Sequence, residues 1–249
     1  MLTVSAKKPG IRDRTSSLSV IIPARDEQDY IGSTLDRVFT RPVHEVIVVD
    51  GHSSDQTVQI ARSHGASVIS APPGRGGQQH AGASAATGDT LLFLHADTLL
   101  PKRYDRLLAR VLAREGVVGG AFGLKIDEAG KSYRFIERAV DWRSHLWQMP
   151  YGDQGLFMTA DAYHRAGGFP DSPVMEDYTL VRRLRRLGRV AISPAPVLTS
   201  ARRWRHYGVW RMTLINQLTL AAFHLGASPA RIQGWRNKLS SGRAPVSTL

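Results

Sequence analysis

Four short runs of aliphatic and β-branched residues, alternating with segments of helical spacing, constrain this chain more than any other feature. They are Leu18–Pro23 (LSVIIP), Glu45–Asp50 (EVIVVD), Ser67–Ser70 and Thr90–Leu94 (TLLFL). Runs this short with no polar alternation read as strands buried on both faces. Ile31, Leu35, Val38 and Phe39 recur at helical spacing after the first. Val58–His64 follows the capping residues Ser53, Ser54 and Asp55 after the second, and a glycine-rich loop, 72–77, opens a helix through Ala86 after the third. Strands that alternate with helices predict an α/β fold, a mostly parallel central sheet with helices on both faces. Ligands of such sheets bind beyond the carboxyl ends of the strands.

The second half is less regular. Leu107, Leu108, Val111 and Leu112 mark a helix, and 117–126 reads as a strand. Leu156–Thr159 is short and extended. Leu180, Val181, Leu184 and Leu187 mark a helix whose other face carries Arg182, Arg183, Arg185 and Arg186. Val190–Ser193 is expected as the last strand. At 249 residues the chain is long enough for one well-filled domain with an appendage. It has no cysteine, which excludes a disulfide framework, a thiol nucleophile and thiolate metal sites, and fits a reducing cytoplasm. Residues 1–17 are polar and basic, without the apolar core of a secretory signal, and read as a mobile leader.

The formal charge of +12 is unevenly spread. Residues 1–177 carry 20 Lys/Arg against 21 Asp/Glu; residues 178–249 carry 13 Lys/Arg and no acid. Such an end calls for an anionic partner. Residues 202–249 are expected to form a basic amphipathic helix and tail. Arg202, Arg203, Arg205 and Arg211 stand there beside Trp204, Trp210, Met212, Leu214, Ile215, Leu218, Leu220 and Phe223. Cations and tryptophans before an aliphatic helix suit the headgroup–acyl boundary of an anionic membrane, too short and polar to span it. A helix that covers the core, or a homo-oligomer interface, are the competing readings.

Three strands end in polar clusters: Ala24-Arg25-Asp26-Glu27, Asp50 before Gly51-His52, and His95-Ala96-Asp97. Acids at such places also cap helices and form turns. In extended backbone His95 and Asp97, at i and i+2, point to the same side and can share a divalent ion such as Mg2+ or Mn2+. The alternative is that Asp97 opens a turn.

The order IIPARDE, VVDGHSSD, a glycine-rich segment, GASAATGDTLLFLHAD and MED near 176 resembles family 2 glycosyltransferases of the GT-A fold, in particular a small subgroup with HAD in place of Asp-X-Asp. The resemblance runs from about 18 to 189. It implies a nucleotide-sugar half (18–100) and an acceptor half (101–201) within a GT-A domain of 18–201. It implies that Pro23, Ala24 and Glu27 hold the nucleoside and that Asp50 accepts hydrogen bonds from the base. Ala96 lies beside the donor, while Asp97 with His95 holds Mn2+ or Mg2+. Gly51 stands where a second aspartate is usual, and Gln78-Gln79-His80 where Ala-Arg-Asn is usual; Arg75 then supplies the cation near the diphosphate. Asp177 matches the base that deprotonates an acceptor hydroxyl, with Glu176, Asp153 and Gln154 on the acceptor side. The expected activity is inverting transfer from a nucleotide-diphosphate sugar to a hydroxyl acceptor, with lipid-linked acceptors included. The expected location is the cytoplasm, peripheral on the inner face of the membrane.

Other classes fit less well. A dinucleotide site wants G-x-G-x-x-G directly after the first strand, and Gln79 fills the third glycine position of a segment that comes later. Gly82-Ala83-Ser84 lacks the lysine of a P-loop, and no H-E-x-x-H is present. A nucleic-acid-binding protein using Trp204, Tyr207, Trp210 and Trp235 with the basic tail is the non-enzyme alternative. The strand-tip carboxylates of a neutral first part weigh against it.

Overall fold

The structure, a computed structural model, describes residues 17–240; most of the expected leader and the last nine residues lie outside the described residues. In chain order the elements begin with β1 (Leu18–Ala24), α1 (Ile31–Val38), β2 (Glu45–Asp50), α2 (Thr57–Ser63), β3 (Ser67–Ser70), α3 (Arg75–Ala85), β4 (Thr90–Phe93), β5 (Thr98–Leu99) and α4 (Tyr104–Leu112). There follow β6 (Val117–Asp127), α5 (Lys131–Trp147), a 3₁₀ turn at Gly152–Gln154, β7 (Leu156–Thr159), α6 (Ala160–Arg165), α7 (Glu176–Leu187) and β8 (Arg189–Ser200). Helices α8 (Arg202–Tyr207), α9 (Val209–His224) and α10 (Pro229–Ser240) close the described chain.

One eight-stranded sheet runs in the order β3-β2-β1-β4-β7-β6-β8-β5. The pairs β1–β2, β1–β4, β2–β3 and β6–β8 are parallel, while β7 is antiparallel to both of its neighbours. The expected mostly parallel sheet is therefore found. Its two faces carry separate cores. Val20, Ile22, Leu35, Leu92, Leu108 and Phe122 belong to one. Ile21, Val49, Phe93, Met158, Tyr163 and Leu180 belong to the other. The alternation of Val20/Ile22 with Ile21 follows from the two-residue repeat of a strand covered on both sides.

Three expectations change. The last strand does not stop at Ser193 but continues to Ser200. Pro194 and Pro196 argue for an end, yet the β6–β8 register shifts between Ala121 and Gly123, so that Gly123 meets Pro196 across an irregular stretch and pairing resumes. Helix α5 was not expected: Tyr133, Ile136 and Val140 pack at helical spacing, but Phe135, Trp142, Leu146 and Trp147 are exposed apolar residues that blur the stripe. The single carboxyl-terminal helix is three helices, broken at Gly208 (φ 81°) and Gly226 (φ 85°), backbone that side-chain-bearing residues seldom adopt. No helix of the described residues is long and apolar enough to cross a membrane.

Candidate active site

The site lies beyond the carboxyl ends of β1, β2 and β4. Parallel pairing sets Ala24 beside Asp50 and brings these tips together. The loops after β1 and β2 are laced to each other. Asp26 N donates to Ser53 Oγ at 3.0 Å, Glu27 N to Thr57 Oγ1 at 2.7 Å, and Ser54 N to Asp26 Oδ1 at 2.8 Å. Asp26 is thus spent on loop structure. Asp26, His52 and Met175 all have positive φ (53°, 63° and 63°) and stand beside Glu27, Gly51 and Glu176, so left-handed backbone clusters around this cleft.

Asp50 ends β2, nearly buried, and accepts from Ser53 N at 3.1 Å. Gln78 reaches back from α3 and donates through one amide nitrogen to Ala24 O at 3.0 Å and Val49 O at 2.8 Å. The Ala24 carbonyl also takes Gly51 N. Pro23 is half-buried, whereas Ala24 is 2% exposed with its carbonyl used twice, so Ala24 shapes the floor of the cleft rather than presenting a polar group. Ala96 is likewise inward: it is buried and its carbonyl accepts from Thr34 Oγ1 at 2.8 Å.

His95 and Asp97 are not in extended backbone. They follow the end of β4, and Thr98 N bonds His95 O at 3.2 Å, closing a turn so that β5 can pair with β8. The two side chains still serve one cleft but meet different partners. His95 Nε2 is 3.4 Å from Arg75 Nη1. Burial, then the charges of Arg75, Arg203 and Arg202, push the His95 imidazole well below its ordinary pKa, so it is neutral at neutral pH. Asp97 Oδ2 pairs with Arg202 Nε at 3.0 Å. The same guanidinium bonds Glu27 Oε1 and lies 4.8 Å over the Tyr30 ring. Burial, against the pull of Arg202, raises the Glu27 carboxyl, whose Oε2 is buried without a hydrogen-bond partner.

Asp177 stands in the first turn of α7, and Gly152 N donates to its Oδ2 at 2.7 Å. A Cβ placed on Gly152 would lie 3.3 Å from Asp177 Oδ2 and 3.4 Å from His95 Nε2, so the candidate base and the HAD imidazole converge on one glycine. Glu176 is 2% exposed, and Arg75 Nε bonds its Oε1 at 2.7 Å. Burial raises the Glu176 carboxyl even with Arg75 beside it. Arg75 therefore sits between His95 and Glu176, as a cation beside the cleft. Asp153 has a buried, unpartnered Oδ1, and burial raises its pKa against the pull of Arg143.

Gln154 corrects the expected acceptor contact. It is fully buried; its Oε1 accepts from Arg143, Ser144 Oγ and Tyr151 N, and its Nε2 donates to Phe122 O at 3.0 Å. Fully buried and bonded to four groups of the fold, it anchors the Gly152 turn rather than facing an acceptor. One arginine was missed. Arg202 counts in the sequence as a tail cation, yet it pairs with Asp97 and Glu27 in the cleft, and Arg203 follows it as an exposed cation. The signal available was the run of arginines directly after a strand end.

Among the described residues no three His, Asp or Glu groups are placed to hold a metal. The Asp97 carboxylate is a hard oxygen donor and the neutral His95 imidazole a borderline nitrogen donor, a pair that suits a divalent ion such as Mn2+ whose other ligands are phosphate oxygens and water. The residues present therefore fit such an ion.

Comparison with known proteins gives the family and the fold. A profile described as glycosyl transferase family 2 matches residues 19–169. A 4,4'-diaponeurosporenoate glycosyltransferase of Staphylococcus haemolyticus is 34% identical over 109 residues, 40% of this chain and 28% of that protein. A glucosyl-3-phosphoglycerate synthase of Mycolicibacterium paratuberculosis is 34% identical over 97 residues, 34% of this chain and 30% of that protein. The chain thus matches less than a third of the length of either relative. The solved glucosyl-3-phosphoglycerate synthase of Mycobacterium tuberculosis, in complex with Mn2+, uridine diphosphate and glucosyl-3-phosphoglycerate, superposes with a TM-score of 0.55 at 21% identity. It covers 79% of this chain and 77% of that one. The likeness extends to the curled, mostly parallel sheet, which is that of the GT-A fold. With the family profile matched over more than half its length, this chain belongs to glycosyl transferase family 2.

Proposed function

We propose that the chain moves a sugar from a nucleotide-diphosphate sugar to a hydroxyl acceptor by metal-assisted single displacement, with inversion at the anomeric carbon. The observation that carries this reading is the convergence of Asp177 Oδ2 and His95 Nε2 on Gly152. Pro23, Glu27 and Asp50 line the nucleoside side. Asp97 and His95 are the residues that would hold a divalent cation, Mn2+ or Mg2+, which offsets charge on the leaving diphosphate. Arg75 and Arg203 add protein cations at the same end.

Asp177 accepts the acceptor's hydroxyl proton. The acceptor oxygen bonds to the anomeric carbon as the bond from that carbon to the diphosphate oxygen breaks, and the nucleoside diphosphate leaves with the electron pair. Retention through a covalent intermediate would need a second free carboxylate as nucleophile. Glu176 is tied to Arg75 at 2.7 Å, whereas Asp177 faces the cleft glycine, which supports a single base. Proton nuclear magnetic resonance of the fresh product tests this: an inverted anomeric configuration is expected, and retention overturns it.

The acceptor and its place are part of the same reading. Phe135 of α5 and Trp210 of α9 lie 6.0 Å apart between ring centres, both exposed, and Leu214 and Leu218 continue the face. This apolar face, with Lys131 and Arg138 lining the same surface as Phe135, supports peripheral docking on an anionic bilayer and a lipid-linked acceptor.

A further inference from the structure

Arg202 opens α8 directly after β8, 175 residues from Glu27 in sequence. Its position is tightly set. Ser200 N bonds the Asp97 carbonyl at 3.1 Å, Arg202 N bonds Ser200 Oγ at 3.2 Å, and Thr98 and Thr199 pair across β5 and β8. The guanidinium therefore starts beside Asp97 and spans two carboxylates, Asp97 Oδ2 at 3.0 Å and Glu27 Oε1. Both carboxylates bond the same guanidinium, so two like charges stand on one side chain and need a cation between them. In the structure that cation is Arg202.

We infer that Arg202 is a positioning residue that keeps Asp97 from taking a divalent cation alone, and releases it only when a diphosphate offers the guanidinium an alternative partner. A guanidinium and a divalent ion on one carboxylate repel each other at short range. Arg202 matches a diphosphate as well as it matches two carboxylates, because its planar fork bonds either in pairs. The side chain is about one-third exposed, so a phosphate can reach it from the cleft. Donor and metal then enter together rather than metal first. No covalent step is involved; one ion pair is exchanged for another.

This inference rests on the metal-assisted reading above, and direct binding separates the two. Mn2+ binding to the full chain is measured by electron paramagnetic resonance without nucleotide. Arg202→Ala is expected to bind Mn2+ about tenfold more tightly than the wild type, the worth of roughly one charged hydrogen bond. Arg202→Gln keeps length and polarity without charge and carries the same expectation if the alanine variant folds poorly. In chelator, calorimetry with inorganic pyrophosphate is expected to show about tenfold weaker binding to either variant, for loss of that same bond. Unchanged or weaker Mn2+ binding by a folded variant overturns the inference, as does unchanged pyrophosphate binding. If no form binds Mn2+, with or without uridine diphosphate, the metal reading itself falls and takes this inference with it.

Discussion

A Cβ on Gly51 would lie 2.9 Å from Nε2 of Gln78, the amide that ties Ala24 and Val49 together at the tips of β1 and β2. Two departures from the family pattern, glycine in place of the second aspartate and glutamine in the α3 segment, are thereby one physical arrangement. The Gln78 amide fills the space that a longer residue at 51 would take.

Gly51→Asp should therefore be costly by itself, because Gln78 is buried and must give up its bonds to Val49 O and Ala24 O, of which the second keeps Gly51 N, at about 1–3 kcal/mol for a buried group left unsatisfied. Adding Gln78→Ala makes room and should recover part of the loss. Chemical denaturation of the two single variants and the double variant checks this, and strictly additive losses would contradict the shared space.

Asp177→Asn keeps the side chain's shape and its bond from Gly152 N but removes the base. Transfer should fall by about 10²–10⁴-fold, the usual worth of a general base, while donor binding persists. Turnover and donor calorimetry on the same preparation separate these effects. Near-normal transfer would return Asp177 to a helix-terminus role.

Asp105 at the start of α4 gives a pH dependence of the scaffold. Burial pushes its carboxyl up, but Arg41, bonded at 2.9 Å, and Arg106 N pull it below the ordinary range. A depressed folded-state pKa means that the stabilisation is present above the unfolded value of about 4 and lost as pH falls below it. Asp105→Asn should be less stable than the wild type at pH 7, and the gap should close towards pH 3. Thermal melts across that range read it directly.

The exposed face of Phe135, Trp210, Leu214 and Leu218 predicts salt-sensitive binding to acidic vesicles and none to neutral ones. Trp210→Ser with Leu214→Ser should abolish co-sedimentation, and these exposed residues stand apart from the candidate active site. Protein that stays in the supernatant with acidic vesicles at low salt would point to a soluble acceptor. Concentration-dependent self-association of the wild type would assign the face to a second copy.

Local residue pattern sets the elements of the first half and the identity of its strand-tip acids. β1, β2, β3 and β4 are short apolar runs with polar ends, and each signal is contained within a few adjacent residues. Asp50, Asp97 and Asp177 were legible for the same reason: their type and order along the chain carry the family resemblance. Tertiary structure decided which of these groups are free. Arg202 reads in sequence as one cation of a basic tail, yet β8 delivers it to Asp97 and Glu27. Glu176 and Gln154 read as acceptor contacts, yet Arg75 holds the first and four fold-internal partners saturate the second. Helix α5 has its period of Tyr133, Ile136 and Val140 blurred because other apolar residues of it face outward. A strand or helix signal is local, but an ion pair between residues 27 and 202 exists only once the sheet has brought two distant ends of the chain to the same edge.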